Sequence, residues 1–230
     1  MMKRLYILVL FICITSVSFG QIYEIGFFAG GTNYIGDIGR TNYIYPNRVG
    51  GGLVFKYNVN PRIAYRGNLS VLPIHGDDEV SNNSFRESRA EGNGYNFSNT
   101  IFELAGGIEF NFFDYTETNK GQRHTPYILA QVAAINYKTI SDYVSEGNSV
   151  FKNQTSYSVP VGIGFKGRLG RNTAYAVESA IRFTLIDDLD FTNEDIPDLD
   201  FVGNGDDFYV FTGFSIVYTF GRPPCYSPSE

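Results

Sequence analysis

The 230-residue chain has no tryptophan, only two cysteines and two histidines, fewer basic than acidic side chains, and no apolar run long enough for a membrane helix. Each shortage excludes something. The longest apolar stretch, residues 5–14, is about half of what a helix needs to cross a bilayer. It follows Lys3 and Arg4 and precedes Ser16, Ser18 and Gly20. That order of a charged start, an apolar stretch and small residues fits a secretory signal peptide over residues 1–20, cut after Gly20. Cys13 lies in this segment without the small-residue context of lipid attachment, so it leaves with the leader, and Cys225 has no intramolecular partner. Removing Lys3 and Arg4 leaves 16 basic against 24 acidic side chains, or 16 − 24 = −8. An exported chain of that charge is a poor candidate for binding nucleic acid or anionic lipid.

What is abundant is aromatic and small: 20 Phe, 17 Tyr and 25 Gly. Helical periodicity is absent, and period-2 alternation recurs in blocks of about ten residues, the length of a tilted membrane-crossing strand. Tyr23, Ile25, Phe27 and Ala29 alternate with Glu24, Gly26, Phe28 and Gly30. Leu53, Phe55 and Tyr57 alternate with Gly52, Val54 and Lys56, and Ile63, Tyr65, Leu69 and Val71 with Arg62, Arg66, Asn68 and Ser70. The clearest block sets Phe102, Leu104, Ile108 and Phe110 against Glu103, Gly107, Glu109 and Asn111. Residues 126–137 are Ala-rich and do not declare a facing. Tyr157 to Phe165 oppose Ser158, Gly162, Gly164 and Lys166, and Tyr175, Val177, Ile181 and Phe183 oppose Glu178, Arg182 and Thr184. The final block ends on Phe214, Ile216, Tyr218 and Phe220, an alternating-aromatic end that resembles the assembly signal of outer-membrane barrels.

The connections alternate too. Residues 58–61 and 167–172 make short turns, while 33–47, 75–98, 138–155 and 186–206 are long and polar; 113–125 is longer than the rule prefers. Long loops on one side and short turns on the other separate a membrane barrel from a soluble sandwich. The expectation is all-β: a transmembrane antiparallel up-and-down β-barrel of about eight strands over 21–220, with long extracellular loops, short periplasmic turns and a periplasmic tail over 221–230. It would be integral to the cell outer membrane, with both termini in the periplasm.

Chemistry-bearing patterns are few. Gly162, Gly164 and Gly167 spell G-x-G-x-x-G, but a strand follows where a dinucleotide site needs a helix. His75 and His124 fall at opposite ends of the expected barrel, which argues against a shared metal site. His75 with Ser70, Asp77 and Asp78 could imitate a hydrolase arrangement at the rim, though a loop histidine is the plainer reading. Asp187, Asp188, Asp190, Glu194, Asp195, Asp198, Asp200, Asp206 and Asp207 make the last loop acidic without the ligand spacing of an EF-hand, so a solvated loop is favoured over an ion site. No catalytic, metal or cofactor set emerges. Lumen-facing Lys56, Arg62, Arg66 and Arg182 should pair with Glu103, Glu109, Glu178 and Glu24 in a barrel narrow enough to be filled by its own side chains. Beyond Phe220, Pro223, Pro224 and Pro228 deny strand pairing and leave Cys225 exposed for intermolecular bonding.

The stretches YEIGFFAGGTNYIGDIG from Tyr23, FKYNVNPRIAYRG from Phe55, NTIFELAGGIEFNFFDY from Asn99, SVPVGIGFKGRLGRN from Ser158 and the end at Tyr218 resemble the PorG family of type IX secretion. The resemblance covers nearly all of the mature chain. It implies a small, non-enzymatic outer-membrane barrel that anchors a periplasmic ring made of the lipoprotein PorK and its partner PorN, with Cys225 on the side facing that ring. The alternative is a small OmpA- or OmpW-like barrel for adhesion or passage of a small solute.

Overall fold

A computed structural model describes residues 22–81, 83, 84, 86–88, 94–115, 123–142, 150–170, 172–191 and 206–221. The leader expected over 1–20, and the tail with Cys225, lie outside these. Eight strands form one closed antiparallel barrel in sequence order. They are β1 (Ile22–Ile35), β2 (Arg48–Asn58), β3 (Ile63–Asp77), β4 (Asn96–Asn111), β5 (His124–Asp142), β6 (Val150–Arg168), β7 (Thr173–Thr184) and β8 (Phe208–Phe220). The seam closes by β1 pairing with β8 from Tyr23 opposite Phe220 to Ile35 opposite Phe208. Closure gives every strand a partner on each side, so the sheet has no free edge strand.

Local chemistry sets the tight turns. Between β2 and β3 the Asn60 side chain accepts from the backbone N–H of Arg62 and of Ile63, each at 2.8 Å, which is the Asx-turn geometry that Asn favours. Between β6 and β7, Leu169 N–H donates to Thr173 O at 2.9 Å. Glycine matters most where backbones meet in the lumen. Gly30 lies opposite Gly213 across the seam, and the Phe211 ring covers both, 2.9 and 2.6 Å from where their Cβ atoms would stand. A Cβ at either position would meet the backbone of the paired strand even before that ring.

At the long-loop end the strands run further than the sequence pattern indicates. β3 continues to Asp77, β4 begins at Asn96, and most of the expected loop 138–155 is the β5–β6 hairpin. β5 and β6 have 19 residues each. At about 3.3 Å per residue and a tilt of about 40°, such a strand rises about 45 Å, well past an apolar band about 25 Å tall. The hairpin therefore stands clear of the band, where apolar alternation has no reason to persist. The Ala-rich segment resolves as well: Thr125, Tyr127, Leu129, Gln131, Ala133, Ile135, Tyr137 and Thr139 are buried, so the odd-numbered positions of β5 face inward.

Candidate functional site

The barrel inverts the usual soluble arrangement. Phe27, Leu104 and Ile163 point outward and are 67%, 60% and 68% exposed, whereas Glu109 is 0% exposed. At the short-turn end, Tyr23 stacks on Phe55, Tyr57 and Phe220 at centroid distances of 5.6–5.9 Å. Toward the other end, Phe102 and Tyr157 are exposed and Phe183 meets Phe208 edge to face at 5.5 Å. On β8 the outward positions Phe208 to Tyr218 are ten steps apart, about 33 Å along the strand and about 25 Å in height once tilted, the depth of a membrane's apolar core.

The interior is layered. Lowest lies a charge cluster centred on Glu109, which accepts from Lys166 Nζ at 2.5 Å, Lys56 Nζ at 2.7 Å and Arg66 at 3.4 Å. Lys56 also reaches Glu24 at 4.0 Å, and Asn58 donates to Glu24 at 3.0 Å. Arg66 grips Glu178 with both terminal nitrogens, and Tyr127 donates to the same carboxylate at 2.7 Å. One step higher, Glu103 meets Arg182 at 3.3 Å, Tyr209 at 2.8 Å and Ser70 at 3.2 Å. The buried cations Lys56, Arg66, Lys166 and Arg182 equal in number the buried carboxylates Glu24, Glu103, Glu109 and Glu178, so this layer carries no net charge.

Arg62 is not part of it. It sits in the β2–β3 turn, is half exposed, and pairs with Asp114 at 2.6 Å. Extending the β3 alternation one residue beyond the strand put it wrongly on the inner face. Lys166, on the inner face by the same alternation, belongs to the cluster although the charge inventory omitted it. Tyr127 and Tyr209, also omitted, supply hydroxyls to the carboxylates; their signal was only inward parity next to a charged layer.

Above the charges the lumen turns apolar. Leu72, Ile74, Phe97, Ile101 and Ile135 pack with Tyr34 and with two loop residues, Ile38 and Leu189. These loop side chains close the long-loop end of the barrel. The cap is held by acids: Tyr137 donates to Asp188 at 2.7 Å, Tyr34 to Asp190 at 2.7 Å and also to Asp207, and Asp207 accepts from Leu189 N–H at 2.9 Å. A hydroxyl has one proton for two carboxylates. Burial, and then the charge of Asp190, hold the Asp207 carboxyl well above the ordinary carboxylate range. Asp188, Asp190 and Asp207, expected in a solvated loop, are therefore buried structural groups. Among the described residues no cluster of His, Cys, Asp and Glu could hold a metal ion.

The other patterns also resolve. Ser70 faces the lumen on Glu103, whereas His75, on the opposite strand parity, contacts Ser98 Oγ at 2.9 Å and the Phe97 carbonyl at 2.5 Å. Asp77 caps Glu79 N–H, and Asp78 accepts from Gly39 and Tyr95 N–H. The four residues thus face different ways. Gly162, Gly164 and Gly167 lie within β6, where Gly164 makes room for the Tyr127 ring and Gly167 for the His124 ring. His124 stacks on Phe165 at the short-turn end.

The family model described as "Domain of unknown function (DUF6089)" matches residues 3–229. The chain belongs to the DUF6089 family. No curated protein matches it. Among solved structures, this DUF6089 chain is similar to Ail of Yersinia pestis, crystallised with the heparin analogue sucrose octasulfate, at 12% identity and TM-score 0.48 over 87% of this chain and 99% of that one. It is also similar to the N-terminal β-barrel domain of Pseudomonas aeruginosa OprF, at 12% identity and TM-score 0.44 over 87% and 98% of the two chains. Outer membrane protein W of E. coli gives 14% identity and TM-score 0.40 over 89% and 100%. The fold rests on this chain's own closed ladder.

Proposed function

We propose that this DUF6089 protein is an integral outer-membrane barrel that works as a structural anchor rather than as a pore or an enzyme. The observation that carries this reading is the filled lumen among the described residues: a charge-balanced, hydrogen-bonded layer below, a packed apolar layer above, and a loop cap over both. Such a barrel acts through its ends and its outer wall. The apolar outer surface supports membrane insertion, and closed barrels are the β-structures that lipid tolerates. With the long loops outside, both termini face the periplasm.

The resemblance of the stretches around Tyr23, Phe55, Asn99 and Ser158 to PorG extends the reading to type IX protein transport. There the periplasmic end would hold the PorK and PorN ring, with Cys225 as a contact point. Pull-down of the tagged full-length protein in mild detergent tests this: recovery of a ring lipoprotein is expected, and its absence removes the anchor role. Non-reducing gels of wild type and Cys225→Ser test the covalent form of that contact. The second reading, an OmpA- or OmpW-like barrel for adhesion or solute passage, is favoured only by barrel size. Steady ion conductance in planar bilayers would support it over the anchor.

A further inference from the structure

The wall between β4 and β5 is incomplete at the long-loop end. Their ladder stops at Phe102 opposite Asn136, although β3 and β4 stay paired to Asp77 opposite Asn96 and β5 and β6 to Asp142 opposite Val150. In the gap the Asn99 side chain substitutes for the ladder, donating to Lys138 O at 2.8 Å and accepting from Lys138 N–H at 3.3 Å. It also donates to Leu189 O in the cap at 2.9 Å, so the gap is stitched to the loop that covers the lumen.

This leaves a cavity of about 550 Å³ that opens outward, with Arg48, Lys138, Ser98, Thr100 and Asn153 among its polar lining and Pro73, Phe102 and the core side chains Ile74 and Tyr137 among its apolar lining. Its lining holds two cations and no carboxylate, in a chain whose net charge is −6. Arg48 is held to Ser98 Oγ at 3.4 Å. Neither Arg48 nor Lys138 has an ion pair among the described residues. Below it lies a second, apolar cavity of about 480 Å³ on the same outer wall, with Leu53, Leu69, Leu104 and Ala134 in its lining. The two share Phe102 and Asn136. A mostly apolar seat at the upper edge of the apolar band, carrying the two cations with hydroxyl and amide groups, thus continues into an acyl-sized groove within the band.

We propose that this paired cavity is a binding site for one outer-leaflet lipid with a phosphate-bearing headgroup, the phosphate on Arg48 and Lys138 and an acyl chain along Leu104 and Ala134. The proposal rests on the membrane reading above. The overall acidity of the chain argues against anionic lipid as a general partner, but a phosphate responds most to the charges well within a Debye length of about 8 Å, and the charged side chains that line this cavity are Arg48 and Lys138. Charge-assisted bonds from guanidinium and ammonium supply affinity, and the groove supplies apolar burial that a free anion cannot use.

The test uses the full-length protein folded in detergent, with barrel formation scored first by the gel shift of unboiled samples. Failure at that step refutes the membrane reading and not this site. Native mass spectrometry then follows titration with diphosphorylated lipid A, its dephosphorylated form, phosphatidylcholine and inorganic phosphate. One-to-one binding of lipid A is expected, at least tenfold weaker after dephosphorylation and at least tenfold weaker in the Arg48→Gln/Lys138→Gln variant. Both residues are exposed, so that variant should fold. Ala134→Phe, which fills the groove, should weaken lipid A binding alone. Equal binding of both lipid forms, an unaffected double variant, or inorganic phosphate saturating the site at the same concentrations as lipid A would overturn the proposal.

Discussion

Glu109→Gln should be the most damaging isosteric change in the lumen, and its magnitude follows from the contacts. The carboxylate is wholly buried and is shared by Lys166 at 2.5 Å, Lys56 at 2.7 Å and Arg66 at 3.4 Å. The amide removes one charge from a layer of four cations and four carboxylates, leaving 4 − 3 = +1 uncompensated inside the barrel. Breaking a buried pair from one side costs about 3–5 kcal/mol, because the remaining charge stays desolvated. Arg66 retains Glu178 and Lys56 retains Glu24, so the loss falls chiefly on Lys166, whose carboxylate partner among the described residues is Glu109. Adding Lys166→Met restores the balance at three and three, and should recover at least half of the lost stability. Urea unfolding in phosphatidylcholine vesicles, followed by far-ultraviolet circular dichroism and by gel shift, measures both variants. An unchanged slope with a lower midpoint identifies a stability loss. A double variant no more stable than Glu109→Gln, or a single variant within about 0.5 kcal/mol of wild type, which is the range of an unremarkable surface change, would refute the charge-balance argument.

Leu104→Arg on the outer face should destabilise the inserted barrel by about 2–4 kcal/mol if it sits near the midplane, while Leu104→Ile should be nearly neutral in the same urea assay. Loop closure over the lumen should depend on pH. Asp207 in the folded chain binds its proton more tightly than in the unfolded chain. Its contribution is therefore fully present below the ordinary Asp value of about 4 and declines as pH rises from there toward the raised value. Hydrogen exchange at Leu189 should accordingly be slower at pH 5 than at pH 8 after correction for intrinsic rates, and Asp190→Asn should flatten the difference. Tyr34→Phe, which removes the hydroxyl facing both acids, should loosen the cap at either pH without altering the barrel ladder.

The transmembrane part of the fold was legible because a barrel wall has one apolar face, and residues such as Leu104 and Glu103 announce it by strict alternation. Residues 126–137 did not, because Ala130 and Ala134 outside and Ala133 inside give the same signal on both faces. The upper halves of β5 and β6 were read as loop because a hairpin standing in water needs no apolar face, and Lys138, Asn153 and Gln154 look like loop residues. The charge layer was nearly complete in the sequence, since an inward charge in a narrow barrel must pair. Arg62 was misplaced by one residue of a turn. The cap was invisible: Ile38 and Leu189 lie among polar and charged neighbours with no regular apolar spacing, and nothing local indicates that the Asp190 and Asp207 carboxyls fold inward onto Tyr34.

The central claim is that the outward face of a barrel with a filled lumen lies in the apolar core of a membrane. Since the chain has no tryptophan, one introduced tryptophan reports on one position. Leu104→Trp and Ile163→Trp on the outer face, and Phe211→Trp in the lumen, can each be folded into vesicles whose lipids carry bromine on the acyl chains. Strong quenching of the first two and little of the third is the predicted result. Equal quenching at all three positions, or quenching confined to Phe211→Trp, would contradict the account.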